Sequence, residues 1–127
     1  MPPLNIFVVE DNVPIRQSLV AALEEWSAVR VIGFAESAND AIDKLVHDAP
    51  AGDLASIDVM LRQGSGVDVL KALQRAGSKL KCVVLTNYAT PLVRDHCLAL
   101  GADRVFDKSR EVDNLLDYCG ALATGPR

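Results

Sequence analysis

Short apolar runs that alternate with helical patterns constrain the fold of this chain more than any other feature of its sequence. The first strand is predicted at Leu4–Val9, and four more are predicted at about 30–35, 54–57, 82–85 and 104–107. A stretch with apolar residues at helical spacing follows each run. The alternation predicts right-handed crossovers, and therefore a doubly wound α/β fold with a five-stranded parallel sheet and five helices.

The sequence indicates the inner faces of the first two predicted helices and the start of the second. Ile15, Leu19, Leu23 and Trp26 share one face of the first helix, which we expect to pack on the sheet. Ser37 is predicted to cap the second helix, because its hydroxyl can accept a hydrogen bond from a free backbone N–H. The apolar stripe predicted for this second helix consists of Ile42, Leu45 and Val46.

Several other side chains are assigned structural places. Three cysteines lack C-x-x-C spacing, so we expect buried apolar residues and not a zinc site or disulfides. They are Cys82, Cys97 and Cys119. Trp26, Phe34 and Phe106 are predicted to fill the core or a groove. His47 and His96 have no partner at metal-ligand spacing, so both are expected on the surface or on a helix.

Length and charge bound the possible functions. A chain of 127 residues fits one domain, and 50% hydrophobic with 24% charged residues is typical of a globular protein. The net charge of -4 and the lack of a basic run argue against general binding to nucleic acid or anionic membranes. The sequence shows neither a basic leader region nor an apolar run of about 20 residues, which predicts a cytoplasmic protein.

Polar side chains stand at the carboxyl ends of four of the predicted strands. They are Glu10, Asp11, Asp58, Thr86 and Lys108. In doubly wound sheets ligands bind beyond the carboxyl ends of the strands, so these five residues are predicted to form one site. Taken singly, Glu10 could be exposed, Asp11 a helix cap, Asp58 a turn residue, Thr86 a strand-end hydroxyl and Lys108 a solvated charge. Their joint occurrence favours a site.

The chemistry of this set points to phosphoryl transfer with a metal ion. Three crowded carboxylates repel one another unless a cation neutralises them, and oxygen ligands of this kind suit Mg²⁺. Thr86 can donate a hydrogen bond to a phosphoryl oxygen, and Lys108 can neutralise another. A carboxylate is also a competent acceptor of a phosphoryl group.

These segments resemble the receiver domains of bacterial response regulators over essentially the whole chain. The matching motifs are Val-Val-Glu-Asp-Asn at 8–12, Asp-Leu-Ala-Ser-Ile-Asp-Val-Met-Leu at 53–61, Gly-Ser-Gly at 64–66, Val-Leu-Thr-Asn at 84–87, and Gly-Ala-Asp with Phe-Asp-Lys-Ser at 101–109. The resemblance implies a flavodoxin-like (βα)5 receiver fold with strand order 2-1-3-4-5. It also implies that residues 1–127 are a single receiver domain with no effector domain.

The resemblance assigns roles to the strand-end residues. Asp58 would be the phosphoacceptor, and Asp11 and Asp58 would bind Mg²⁺ directly, with Mn²⁺ as a possible substitute. Glu10 would bind the ion through water, and the backbone carbonyl of Met60 would be the third protein ligand. By the same resemblance, the two residues that contact the phosphoryl group and report its presence are Thr86 and Lys108.

One position departs from the pattern that the resemblance implies. Val105 stands three residues before the lysine, where receivers usually have Tyr or Phe. The aromatic half of the usual switch is therefore absent at this position. Phe106, the next residue along, is a candidate for carrying the signal instead.

The resemblance also implies partners. A sensor histidine kinase or a histidine phosphotransfer protein would supply the phosphoryl group, and an unknown protein target would receive the output. No direct contact with nucleic acid or a membrane is expected. A homodimer through the fourth helix, fifth strand and fifth helix is a further expectation. Such a protein is not an enzyme, beyond catalysing its own phosphorylation and dephosphorylation.

Three alternatives from other classes stay open at this point. Val105 fits a pseudo-receiver that binds partners without phosphorylation, although the intact strand-end set argues against it. An aspartyl-phosphate phosphatase would need a second acid two residues after Asp58, where Met60 stands. A flavodoxin-like nucleotide binder would need a glycine- or hydroxyl-rich loop after the first strand, and Glu10 and Asp11 are acidic there.

Overall fold

The computed structural model describes residues 3–47 and 52–124 of the protein. Its strands are β1 (Leu4–Val9), β2 (Val29–Ala35), β3 (Leu54–Ile57), β4 (Lys81–Thr86) and β5 (Arg104–Asp107). Its helices are α1 (Val13–Glu24), α2 (Ala38–Ile42), α3 (Gly66–Arg75), α4 (Pro91–Ala99) and α5 (Val112–Thr124). The strands form one parallel sheet in the order β2-β1-β3-β4-β5, which confirms the predicted topology.

Side chains alternate between the two faces of the sheet, and each face has its own apolar layer. One layer packs under α2, α3 and α4, and its strand residues include Phe7, Val9, Ala55, Ile57, Val84 and Val105. The other layer packs under α1 and α5, and its strand residues include Ile6, Val8, Leu54, Val83, Leu85 and Phe106. The three cysteines are buried as predicted, two in the first layer and one in the second.

The helices α1 to α4 each begin with a side-chain cap, which fixes the residue at which the helix starts. Asn12 caps α1 by accepting a hydrogen bond from the backbone N–H of Ile15 at 3.0 Å. Ser37 caps α2 as predicted, and Ser65 and Thr90 cap α3 and α4. The α2 helix continues as a π-helical turn over Asp43–His47, which the apolar spacing did not predict. The sequence also predicts a break at Pro50-Ala51-Gly52, of which Pro50 and Ala51 lie outside the described residues.

The inner face of α1 differs from the prediction. Leu19 and Leu23 are buried, but Ile15 is exposed, and Trp26 lies beyond the end of the helix and is also exposed. Arg16, three residues before Leu19, takes the inner position and is 8% exposed. The apolar spacing was misleading at Ile15, because the inner stripe of this helix begins with Arg16, whose guanidinium donates to a buried backbone carbonyl.

The prediction for Phe34 was also wrong. Its side chain is 46% exposed on β2, which is an edge strand of the sheet. The guanidinium of Arg16 lies 4.0 Å from the centre of the Phe34 ring, and the ammonium of Lys44 lies 5.6 Å from it. Phe106 is buried as predicted, and His47 and His96 are exposed helical residues.

No helix within residues 3–47 and 52–124 is long and apolar enough to cross a membrane.

The glycine that opens α3 lies close to the candidate site. Gly66 is buried against the backbone of Asp58, and a Cβ atom added to Gly66 would lie 2.2 Å from the Asp58 carbonyl oxygen. The absence of a side chain at this position therefore lets α3 approach the residue that follows β3.

We predict that Gly66→Ala lowers the free energy of unfolding by about 2 kcal/mol, because the backbone at Asp58 must shift to admit the methyl group. Urea unfolding measures the change. Gly52→Ala is the matched control, since its added Cβ makes ordinary contacts at 3.5 and 3.6 Å and should leave stability unchanged or slightly higher. Equal stability of the two variants would contradict the close approach.

Candidate active site at the carboxyl ends of the strands

The topology brings three carboxylates together where β1 and β3 end. Glu10 and Asp11 follow β1, Asp58 follows β3, and the ligand oxygens of the three lie within 4.8 Å of one another. Glu10 is 2% exposed and Asp58 is 5% exposed, while Asp11 is half-buried. The alternative that Glu10 is merely an exposed residue is therefore wrong.

Lys108 follows β5 and points its ammonium group into this cluster. Its Nζ lies 2.8 Å from Asp58 Oδ2 and 2.5 Å from Glu10 Oε1, and only 10% of its side chain is exposed. Burial by itself would lower the pKa of Lys108, but its hydrogen bonds to Asp58 and Glu10 outweigh that effect and raise the pKa. Lys108 is therefore a charged ammonium group that neutralises part of the acidic cluster.

Glu10 is the most enclosed of the three acids. Burial raises its pKa above the usual value, and the hydrogen bonds from Lys108 and from the backbone N–H of Asn12 offset only part of this shift. The Asn12 N–H donates to Glu10 Oε2 at 3.1 Å, while Lys108 occupies Oε1. Both oxygens of Glu10 are thus already engaged by groups of the protein.

Asp11 and Asp58 are held by the loop that follows β3. The backbone N–H of Arg62 donates to Asp11 Oδ2 at 2.6 Å, and the N–H of Met60 donates to Asp58 Oδ1 at 3.1 Å. Asn12 caps α1, so the alternative that Asp11 is the helix cap is wrong. Met60 and Ser65 form an antiparallel bridge that closes this loop, and the Met60 side chain is exposed.

Thr86 lies fully buried at the end of β4. Its Oγ1 accepts a hydrogen bond from the Tyr88 N–H at 3.1 Å, and the backbone carbonyl of Thr86 accepts one from the Lys108 N–H at 2.9 Å. Alternation along the strand places Thr86 on the face of Val84, which is also the face of Val105. Phe106 packs on the opposite face, against the layer under α1 and α5. Phe106 therefore does not share a face with Thr86.

One residue near the site escaped the sequence prediction. Arg16 Nη1 donates to the backbone carbonyl of Glu10 at 2.9 Å and to Glu36 Oε2 at 2.8 Å. Its position three and seven residues before Leu19 and Leu23 places it on the inner face of α1, and this charged residue in an apolar stripe was the available signal. Arg16 fixes the backbone that carries Glu10 and Asp11.

The chemistry of these donors fits a hard divalent cation. Carboxylate oxygens on two adjacent strand ends are ligands that Mg²⁺ and Mn²⁺ accept, and the half-buried Asp11 leaves the cluster open to solvent on one side. Asp11, Asp58 and the nearby backbone are therefore the groups that could hold an ion. Glu10 lies deeper in the protein than Asp11, and its two oxygens already accept hydrogen bonds from Lys108 and from the backbone N–H of Asn12.

We predict that Lys108→Met lowers the free energy of unfolding by about 3 kcal/mol at pH 8, because two buried carboxylates lose their only ammonium partner among the described residues. The pKa of Glu10 should then rise further. When the pKa of a carboxyl group is higher in the folded state than in the unfolded state, the protein becomes less stable as the pH increases through the folded-state pKa. The loss of unfolding free energy caused by Lys108→Met should therefore be smaller at pH 5 than at pH 8. Unfolding measured at both pH values tests this, with the exposed Lys79→Met as control. A deficit that is independent of pH would contradict the coupling.

Comparison with known proteins shows which family the chain resembles. The profile of the family described as the response regulator receiver domain matches residues 6–119. The chain is 26% identical over 124 residues to the uncharacterized transcriptional regulatory protein YvfU of Bacillus subtilis, a match that covers 98% of the chain and 61% of YvfU. It is 31% identical over 120 residues to the response regulator MprA of Mycolicibacterium vanbaalenii, covering 94% of the chain and 50% of MprA.

Among solved structures, the fold matches one chain of the CheX–CheY–BeF3–Mg²⁺ complex from Borrelia burgdorferi. The TM-score is 0.85 at 17% sequence identity, and the match covers 98% of this chain and 92% of that one. The chain spans about half to three fifths of the length of the two relatives named above. With the profile matched over most of its length and the fold in agreement, the chain belongs to the response regulator receiver domain family of two-component systems.

Proposed function

We propose that this chain is a phosphoryl-accepting receiver in which Asp58 takes a phosphoryl group and thereby changes how the chain binds a protein partner. One observation carries the proposal. The buried carboxylate of Asp58 lies 2.8 Å from the Lys108 ammonium and shares an acidic cluster with Glu10 and Asp11. A nucleophilic carboxylate beside a fixed cation is the arrangement that phosphoryl transfer to aspartate requires.

The proposed reaction forms a mixed anhydride on Asp58. A carboxylate oxygen of Asp58 bonds to phosphorus while the bond from phosphorus to the donor's histidine nitrogen breaks, and the electron pair stays on the imidazole. Lys108 is already hydrogen-bonded to Asp58, so its ammonium can pair with a phosphoryl oxygen that arrives there. The hydroxyl of Thr86 supplies a second donor from the end of β4.

In the same proposal, the metal ligands are Asp11, Asp58 and the backbone carbonyl of Met60, with Glu10 acting through water. When bound, Mg²⁺, or Mn²⁺ in its place, would neutralise charge on the carboxylates and on the phosphoryl oxygens. The hydrogen bonds of the Met60 and Arg62 N–H groups hold Asp58 and Asp11 in place for this role. The complex from Borrelia burgdorferi that contains the similar chain includes BeF3 and Mg²⁺, which supports Mg²⁺ as the ion in this proposal.

The donor in this proposal is a sensor histidine kinase or a histidine phosphotransfer protein, as receiver domains generally require. The output is proposed to be contact with a protein, because the net charge of -4 disfavours binding to nucleic acid through phosphate contacts. YvfU is named a transcriptional regulatory protein, but the match covers 61% of it, so regulation of transcription is not carried over here. In this proposal the chain catalyses at most its own phosphorylation and dephosphorylation.

A second candidate is a pseudo-receiver that binds its partner without phosphorylation. The observation that favours it is Val105, a buried aliphatic residue on the face of Thr86, where the resemblance expects an aromatic switch residue. A phosphatase is disfavoured by the exposed apolar side chain of Met60 at the place of its second acid. A test of phosphorylation separates the phosphoryl-accepting receiver from the pseudo-receiver.

We predict that incubation with acetyl phosphate and Mg²⁺ adds the mass of one phosphoryl group to the wild type, and that EDTA prevents the addition. Asp58→Asn should abolish the gain, because its amide lacks the nucleophilic oxygen. The control Asp95→Asn, at an exposed position of α4, should gain mass as the wild type does. Intact-protein mass spectrometry measures each case. No gain in the folded wild type under any condition would favour the pseudo-receiver.

We also predict that Mg²⁺ stabilises the protein without any phosphoryl donor. At ten times its Kd a ligand adds about 1.4 kcal/mol, which corresponds to a rise in Tm of about 5 °C for a domain of this size. Asp11→Asn should have an equal or higher Tm without metal, since one repelling charge is lost, but should no longer respond to Mg²⁺. A full response in Asp11→Asn, equal to that of Asp95→Asn, would remove Asp11 from the ligand set.

A further inference from the structure

The guanidinium of Arg94, in α4, forms hydrogen bonds with three other segments of the protein. Its Nε donates to the Ala89 carbonyl at 3.0 Å, in the loop between β4 and α4. Its Nη1 donates to the Val105 carbonyl of β5 at 2.8 Å, and its Nη2 donates to Glu111 Oε1 at 2.5 Å, just before α5. One planar guanidinium thus satisfies acceptors on a loop, a strand and a helix start.

Glu111 connects this guanidinium to the strand end that carries Lys108. The same Oε1 accepts a hydrogen bond from the Asp107 N–H at 2.9 Å, and the Glu111 N–H donates to the Asp107 carbonyl at 2.8 Å. Hydrogen bonds from Arg94 and from the Asp107 backbone lower the pKa of Glu111, so it is ionised at neutral pH. Asp107 directly precedes Lys108, whose ammonium contacts Asp58.

The other end of the connection is the loop after Thr86. Thr86 Oγ1 accepts from the Tyr88 N–H at 3.1 Å, and the Tyr88 carbonyl accepts from the Thr90 N–H at 2.8 Å, where α4 begins. If the Thr86 hydroxyl moves to donate to a group on Asp58, Tyr88 loses its acceptor and the loop must follow. That loop includes Ala89, whose carbonyl Arg94 holds.

We propose that the Arg94–Glu111 pair is the positioning element that couples the state of Asp58 to α4, across a strand whose residue 105 carries no aromatic side chain. The inference rests on the proposed function. Arg94 is connected to both sides of the site. It is linked to Thr86 through the loop that contains Ala89, and to Lys108 through Glu111. A lysine cannot replace it, because an ammonium group lacks the planar fork that reaches three acceptors in fixed directions.

The test uses beryllium fluoride with Mg²⁺, a tetrahedral analogue of the phosphoryl group, and two readouts on the same samples. Fluorine NMR reports whether the analogue binds. Amide hydrogen exchange of residues 87–99 reports the response of the loop and α4. In the wild type, binding should change exchange in this segment by at least about fivefold, the lower end of ordinary allosteric coupling.

In Arg94→Gln and in Glu111→Gln we expect the bound fluorine signal to persist while the exchange change falls below about twofold. Arg94→Lys should fail as the glutamine variant does, and the double variant Arg94→Gln/Glu111→Gln should lose no more than either single variant, because one pair carries the effect. Arg75→Gln, at the exposed end of α3, should respond as the wild type does. Exchange of β1 and β3 amides before addition of the analogue shows that each variant is folded.

The outcomes separate the two proposals. Bound analogue with a full exchange response in Arg94→Gln or Arg94→Lys overturns the coupling role and leaves the proposed function standing. Bound analogue with no response of residues 87–99 in the wild type does the same. No bound fluorine signal in the folded wild type overturns the proposed function and the coupling with it.

Discussion

The ion pairs of Lys108 are the interaction on which the functional end of this sheet depends. Glu10 and Asp58 are buried carboxylates within 4.8 Å of each other. Two such charges repel by on the order of 3 kcal/mol at an effective dielectric constant of about 20. Lys108 contacts both, and it can do so because the strand order brings the ends of β1, β3 and β5 to one edge. The site therefore follows from the topology of the sheet together with one buried cation.

Close packing and hydrogen bonds around this cluster fix the positions of its charged groups. Gly66 lets α3 reach the Asp58 backbone, Arg16 binds the Glu10 carbonyl, and the caps of the helices set the lengths of the connecting loops. The parts that can change are the hydrogen bonds that leave the site. Thr86 holds the loop before α4, and Glu111 holds the strand end before Lys108. Both lead to Arg94, so a change in charge at Asp58 has two physical routes to the same helix.

The apolar pattern predicted the parallel sheet and the strand-end residues, because short apolar strands and polar residues at their ends follow from burial and chain direction. The strand order was predicted from the resemblance to receiver domains. The sequence-based predictions of burial failed for apolar residues that are exposed in the structure. Ile15 and Phe34 are exposed, since Arg16 takes the inner position of α1 and β2 is an edge strand. The Arg94 network could not be predicted, because two of its acceptors are backbone carbonyls and Glu111 lies 17 residues away in the chain. Such contacts leave no spacing pattern.

The most direct test of the account is the location of the phosphoryl group. Reduction with borohydride converts an aspartyl phosphate to homoserine, and peptide mass spectrometry then identifies the modified residue. After phosphorylation of the folded wild type by acetyl phosphate with Mg²⁺, the account predicts homoserine at position 58 and at no other aspartate. Conversion at another carboxylate, or a stable phosphoryl group on a different type of side chain, would contradict the assignment of Asp58 as the acceptor.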